Sequence, residues 1–260
     1  MFGGLLATPV LAFASRATRG VVVPKEATRS VTATCPSGEH VSFGGLVAQF
    51  QAPPRSGPIV LPEGMRRTAA NRWTVTGVSS SNKIGSRLTA VAYCDTGTTP
   101  RTVSRSVKMA AFATVTATAA CPAGTVVAGG GFSSGASLEH QELVVQLAAS
   151  STRWSVTLRN ITSAATSLNV YAYCAHAAAA TPHTTTIALA PHKGGTARVS
   201  CPSPTKLVFG GLHAHSPAQG TKAAALAPFS WTAATTRQWV VTAYNAGDLE
   251  GHLDAIAYCR

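Results

Sequence analysis

Apolar and polar residues alternate in short runs along this chain instead of recurring every three or four positions, and that is the periodicity of β-strands. In RWTVT at 72–76, Trp73 and Val75 fall on one face and Thr74 and Thr76 on the other. The same holds for Trp154 with Val156 and for Trp239 with Val241. The run LTAVAYC at 88–94 sets Leu88, Ala90, Ala92 and Cys94 on one face and Thr89, Val91 and Tyr93 on the other. A face of small residues can receive a bulky Trp from a neighbouring strand, since a core fills space by setting large against small. Over residues 15–94 the pattern predicts strands near 21–23, 30–34, 40–49, 59–61, 73–79 and 87–94.

These blocks occur three times. CPSGEHVSFGGL from Cys35, CPAGTVVAGGGF from Cys121 and CPSPTKLVFGGL from Cys201 align without a gap. RWTVT, RWSVT and QWVVT follow, then strands ending in AYC at Cys94, Cys174 and Cys259. Self-similarity at this period means three units of one supersecondary design. Polar, Thr- and Pro-rich spacers divide the chain into repeats at 15–94, 95–174 and 175–260. The predicted class is all-β, with three pseudo-symmetric repeats of five to six strands in a β-prism-like arrangement. The alternative is three tandem small β-sandwiches. A unit of this size with so few large apolar residues has little core of its own, which favours the prism.

Symmetry also simplifies the cysteines. Treating the repeats alike pairs Cys35 with Cys94, Cys121 with Cys174 and Cys201 with Cys259. Disulfides belong to an oxidising compartment. Residues 1–14 carry an apolar run ending Ala12-Phe13-Ala14, and they read as a truncated secretory signal peptide lacking its basic segment. The expected localisation is secreted, with no transmembrane segment, because no apolar run approaches the roughly 20 residues a spanning helix needs.

The CP-x-G opening, the Gly-Gly strand and the closing x-A-Y-C strand resemble secreted Cys-stapled repeat proteins of actinobacteria. They are more distantly similar to the vitelline membrane outer layer protein class, a three-sheet β-prism. The resemblance implies architecture and no activity. Jacalin-type β-prism lectins bind sugar through a G-x-x-x-D loop, and the nearest match here, Gly251 to Asp254, is one residue too short.

Candidate chemistry is sparse. Gly131-Phe132-Ser133-Ser134-Gly135 fits G-x-S-x-G, but that serine needs a strand-to-helix elbow, and no helical pattern follows. Gly-Gly is read as a bulge or a close backbone approach, not a phosphate cradle. Glu139 with Glu142 and Asp248 with Glu250 sit in turn-like segments expected to face water, so no carboxylate pair is assigned to catalysis. His213 and His215, with His252 as a third, form a conceivable metal set, but solvent-facing histidines are commoner. No enzyme activity, cofactor or metal is therefore predicted.

Charge adds the one directional signal. Formal net charge is +12, and only 12% of residues are charged. The segment 35–94 holds six basic residues, Arg55, Arg66, Arg67, Arg72, Lys83 and Arg87, against two acidic ones, whereas the matching segments of the other repeats are neutral. A local basic surface suits an anionic envelope polymer or glycan. Nucleic acid is not expected, since no stacking platform stands out. Trp231 has no counterpart in the aligned blocks. With Phe229 it makes either an exposed platform for sugar rings or a local core plug. The expected function is a secreted, non-catalytic binding module for envelope or carbohydrate ligands. The alternatives are a structural protein of the cell surface and, behind it, a secreted hydrolase.

Overall fold

The computed structural model describes residues 13–49, 60–79, 86–135, 141–216 and 226–260, and all of its regular structure is β. The first repeat supplies β1 (Ser15–Val23), β2 (Ala27–Thr34), β3 (His40–Gln49), β4 (Val60–Ala69), β5 (Arg72–Ser79) and β6 (Ser86–Asp95). The second supplies β7 (Arg101–Met109), β8 (Thr114–Ala120), β9 (Val126–Ser133), β10 (Glu142–Ala149), β11 (Arg153–Asn160) and β12 (Thr166–Ala175). The third supplies β13 (Thr181–Leu189), β14 (Gly194–Ser200), β15 (Leu207–His215), β16 (Leu226–Thr235), β17 (Gln238–Asn245) and β18 (Gly251–Cys259). β4 runs well past the short segment expected at 59–61, because it continues through the polar Arg66 and Arg67, and β1 starts at Ser15, ahead of the apolar run expected at 21–23.

The strands form three six-stranded antiparallel sheets, and no sheet belongs to one repeat. Sheet 1 runs β1-β6-β3-β16-β17-β14, sheet 2 runs β2-β5-β4-β9-β12-β7, and sheet 3 runs β13-β18-β15-β10-β11-β8. Each repeat thus gives its first, sixth and third strands to one sheet and its second, fifth and fourth to the next. The junctions close in a ring: β4 pairs β9, β10 pairs β15, and β16 pairs β3. Their registers match, with Met65 opposite Phe132, Leu147 opposite Leu212, and Trp231 opposite Leu46. Tandem sandwiches are excluded by this exchange, and one apolar core runs through all three repeats.

The recurring residues explain the arrangement. A Cβ on the first glycine of each pair would sit 2.2, 2.2 or 2.0 Å from the Trp ring of its own repeat, at Gly44, Gly130 and Gly210. A Cβ on the second would meet the carbonyl oxygen of the neighbouring repeat's fourth strand, at 2.3 Å for Gly45, 2.4 Å for Gly131 and 2.2 Å for Gly211. One glycine makes room for the indole, and the other lets two repeats join. Bulges lie just ahead of the pair, between Val41 and Phe43 and between Leu207 and Phe209. Trp73 and Trp239 donate their indole N–H groups to the carbonyls of Gly45 and Gly211 at 3.2 and 3.0 Å.

The tyrosine of each AYC motif secures a junction. The hydroxyls of Tyr93, Tyr173 and Tyr258 accept the backbone N–H groups of Ala233, Arg67 and Ala149 at 2.6, 2.6 and 2.7 Å. Disulfides join Cys35 to Cys94, Cys121 to Cys174 and Cys201 to Cys259. Each ties the end of a second strand in one sheet to a sixth strand in another, so the bridges staple sheets as well as loops. Glu26, Phe112 and His192 occupy equivalent first turns with φ of 47°, 55° and 55°, which keeps the hairpins alike.

Candidate functional site: a funnel where three repeats meet

At the end of the prism where β3, β9 and β15 begin, three equivalent positions, Ser42, Ala128 and Val208, face a funnel of about 610 Å³. These residues stand seven places after the first cysteine of each repeat. Small side chains there leave space, and the spacers after β6 and β12 form the rim with Asp95, Arg101 and His176. Arg260 closes the third side. Concave sites at the meeting of structural units are where ligands are usually held.

The lining is electrostatically unbalanced. Arg101 is exposed, Arg260 is half-buried, and neither makes an ion pair among the described residues. Arg260 donates from Nη1 to the Ala178 carbonyl at 2.9 Å, while its Nε is buried without a partner. Burial pushes its pKa down without discharging a guanidinium. Ser42 Oγ is likewise buried and unpartnered. Buried polar atoms are almost always hydrogen-bonded, so two orphans on residues lining one funnel leave unmet hydrogen-bonding capacity in its wall. The single carboxylate, Asp95, is engaged by the N–H groups of Thr96 and Gly97 at 2.7 and 3.3 Å. His40 is buried beside it, and burial lowers its pKa most; Asp95 opposes that effect and Arg67 reinforces it. His176 Nδ1 lies 3.0 Å from the Gly124 carbonyl and donates to it.

Among the described basic residues singled out from the sequence, Arg67 is bonded to the funnel's lining. Arg67 donates to the carbonyls of Val41 and Pro100 and to Thr102 Oγ1, and its guanidinium lies 4.5 Å over the Tyr173 ring. It does not line the funnel but braces its wall through the carbonyl of Pro100. Arg66 and Arg72 stand on sheet 2, Arg66 being 5.4 Å over Tyr171, while Arg87 lies on sheet 1 alongside Gly20. Of the described candidates, Arg66, Arg67 and Arg72 thus share sheet 2 and Arg87 lies on sheet 1, because the first repeat is split between two sheets. Arg55 and Lys83 lie outside the described residues.

Two other expectations need correction. Trp231 is fully buried and Phe229 is 9% exposed, so they offer no platform to a sugar ring. Trp231 is a core plug whose structural counterparts are Met65 and Leu147, and its indole N–H points to Met65 Sδ at 3.0 Å. Glu142 does not face water: it is buried against Ser134, whose Oγ lies 2.9 Å from Glu142 Oε2 and 2.9 Å from Glu63 Oε2. Burial raises the Glu142 pKa to about 7. Ser133 remains in strand β9, 3.3 Å from the Tyr171 hydroxyl, with no elbow around it.

Sequence reasoning missed Ser42, Arg101 and Arg260, since they lie in three different repeats and share no motif. The only available signal was that each departs from its aligned neighbours. No helix among the described residues is long and apolar enough to cross a membrane. The chain matches no protein-family model and no curated protein sequence.

Proposed function

We propose that this protein is a non-catalytic binding module that works outside the cytoplasm and takes acidic groups of an envelope polymer or glycan into the funnel. The observation that carries this reading is the funnel's pair of orphaned polar atoms, Ser42 Oγ and Arg260 Nε, beside the unpaired Arg101. A carboxylate or phosphate would be drawn to the two guanidiniums of this lining, and charge-assisted hydrogen bonds are the strong ones. Three disulfides support an oxidising compartment. The half-exposed arginines of sheet 2 would extend contact with a long polymer, each exposed pair adding little by itself.

The test is calorimetric titration with an oligouronate and with its neutral parent sugar. Binding of the acidic oligomer alone, weakening as salt rises, is expected, since exposed charges are screened over about 8 Å at physiological ionic strength. Arg101→Ala with Arg260→Ala should reduce affinity at least tenfold. Arg153→Ala with Arg159→Ala, which removes the same charge from exposed positions on sheet 3, should leave it within about twofold. Equal losses from both double variants would reduce the attraction to net charge, and no binding by the unaltered protein would leave the prism as a scaffold.

A further inference from the structure

On the outer face of sheet 3, His213 of β15 stands directly opposite Asp254 of β18, and His215 stands opposite His252. All four share one face because His213 and His215 are two residues apart in a strand. His213 Nδ1 and His215 Nε2 both approach the same carboxylate oxygen, Asp254 Oδ2, at 3.5 and 3.6 Å. The three donor atoms lie within 4.8 Å of one another. The other carboxylate oxygen, Oδ1, accepts from Thr186 Oγ1 at 2.7 Å, which holds the carboxylate and leaves Oδ2 for a ligand. We propose that His213, His215 and Asp254 bind a first-row divalent transition cation of the zinc type, with further coordination positions open to solvent.

The geometry suits such an ion. Bonds of about 2.0–2.2 Å at tetrahedral angles give donor separations of roughly 3.4 Å, close to the two shorter edges here. The imidazoles are stacked at 4.6 Å and 19°, so small side-chain rotations close the third edge. Neither ring has another hydrogen-bond partner among the described residues. Burial lowers the His213 pKa, His215 lowers it further and Asp254 opposes them. Two imidazoles and a carboxylate form a donor set for borderline divalent ions rather than calcium or magnesium. Thr186 supplies the outer hydrogen bond that metal-binding carboxylates ordinarily receive. The side chains are 35%, 35% and 15% exposed, which leaves water free to complete the coordination.

Internal symmetry shows that the fold does not require these residues. The pair equivalent to His213 and Asp254 is Val47 with Thr89 in the first repeat and Ser133 with Asn169 in the second. Both pack in the same register without metal-binding chemistry, so the third repeat departs from a working design. Asp254 takes the place expected of His252, which sits edge-on to His215 at 5.3 Å and turns its Nε2 toward Glu250 Oε1 at 3.5 Å.

The full chain, stripped with chelator, is titrated with Zn²⁺ alone and competed against a chromophoric chelator. One tight equivalent is expected. His213→Ala and Asp254→Asn should each weaken it at least tenfold, while His183→Ala and His252→Ala should leave it within about threefold. Co²⁺ at the same site should show the visible absorption bands of a four-coordinate N/O complex, lost in His215→Gln, a readout that does not rely on the alanine variants folding. Absence of a tight Zn²⁺ equivalent, or one that survives in His213→Ala and Asp254→Asn, overturns the assignment.

Discussion

At the junctions between repeats, Met65, Leu147 and Trp231 hold equivalent register positions, each against the third strand of the next repeat. On the outer faces, Val47–Thr89, Ser133–Asn169 and His213–Asp254 are likewise equivalent. Both sets break the repeat, but in different ways. The junction positions differ in size and agree in chemistry: all three are large, apolar and buried. The asymmetry there is one of packing, since a single axial space is shared by three unequal side chains and one large indole fills what three equal ones would crowd. The outer-face positions differ in chemistry while the backbone stays the same. Variation inside the ring tells how space is filled, and variation outside it tells where function has been added.

Glu142 is the informative exception. Its counterparts are Val60 and Leu226, so it breaks the repeat in the interior and in chemistry at once. Ser134 has one hydroxyl proton and three acceptors around it, Glu63 Oε2, the Glu63 carbonyl and Glu142 Oε2. A protonated Glu142 relieves that competition by donating in turn, in keeping with its pKa of about 7.

The comparison is open to direct attack, starting with its largest effect. Trp231→Ala should cost roughly 3–5 kcal/mol in denaturant unfolding, the usual consequence of deleting a buried large aromatic. Because every sheet contains strands of two repeats, the loss should appear in one cooperative transition; a separate transition for the third repeat would show that the repeats fold independently.

Next in size is the pH response of Glu142. Its folded pKa lies above that of the unfolded chain, so its contribution is complete below about pH 4.5 and declines as pH rises through about 7. The decline should reach up to about 3 kcal/mol, and Glu142→Gln should flatten it. A variant with an unchanged pH profile would place the titration elsewhere.

A smaller effect is expected at the Tyr–backbone contacts. Tyr258→Phe removes the acceptor of the Ala149 N–H, at a cost of about 1 kcal/mol for a half-buried donor left unpaired. Hydrogen exchange should quicken at Ala149 before it does at the other junctions. Exchange unchanged at Ala149 would mean that strand pairing alone holds the junction.

Smallest of all, His213→Val with Asp254→Thr restores the pair found in the first repeat. Stability should move by no more than about 0.5 kcal/mol, as for surface changes that touch no structural feature. A cost above about 2 kcal/mol would make these residues part of the architecture and erase the distinction between inside and outside.

Much of the fold was legible because its signals are local and occur three times. Period-two alternation identified the strands, and the threefold alignment identified the repeats and paired the cysteines. The Gly-Gly motif announced a close approach. Its two partners, an indole from the same repeat and a carbonyl from the preceding one in the ring, were not readable, because a glycine records that space is short but not what takes it. The burial of Glu142 was missed for a related reason: a polar residue beside a turn looks solvated until the strand that covers it is known.

The sequence by itself determined an all-β chain of three like repeats, which residues of the Trp and AYC strands share a face, and the pairing of cysteines within a repeat. Only the tertiary structure decided that each repeat is divided between two sheets, that Trp231 plugs the core, that Ser42, Arg101 and Arg260 meet around one funnel, and that His213, His215 and Asp254 share one face. The physical reason lies in the strand itself. Its side chains alternate with the same period whatever its neighbour, so alternation reveals which residues point inward and carries no information about the partner strand. That choice rests on contacts between residues far apart in the chain, where the second glycine of each pair and the AYC tyrosine admit the fourth strand of the preceding repeat in the ring.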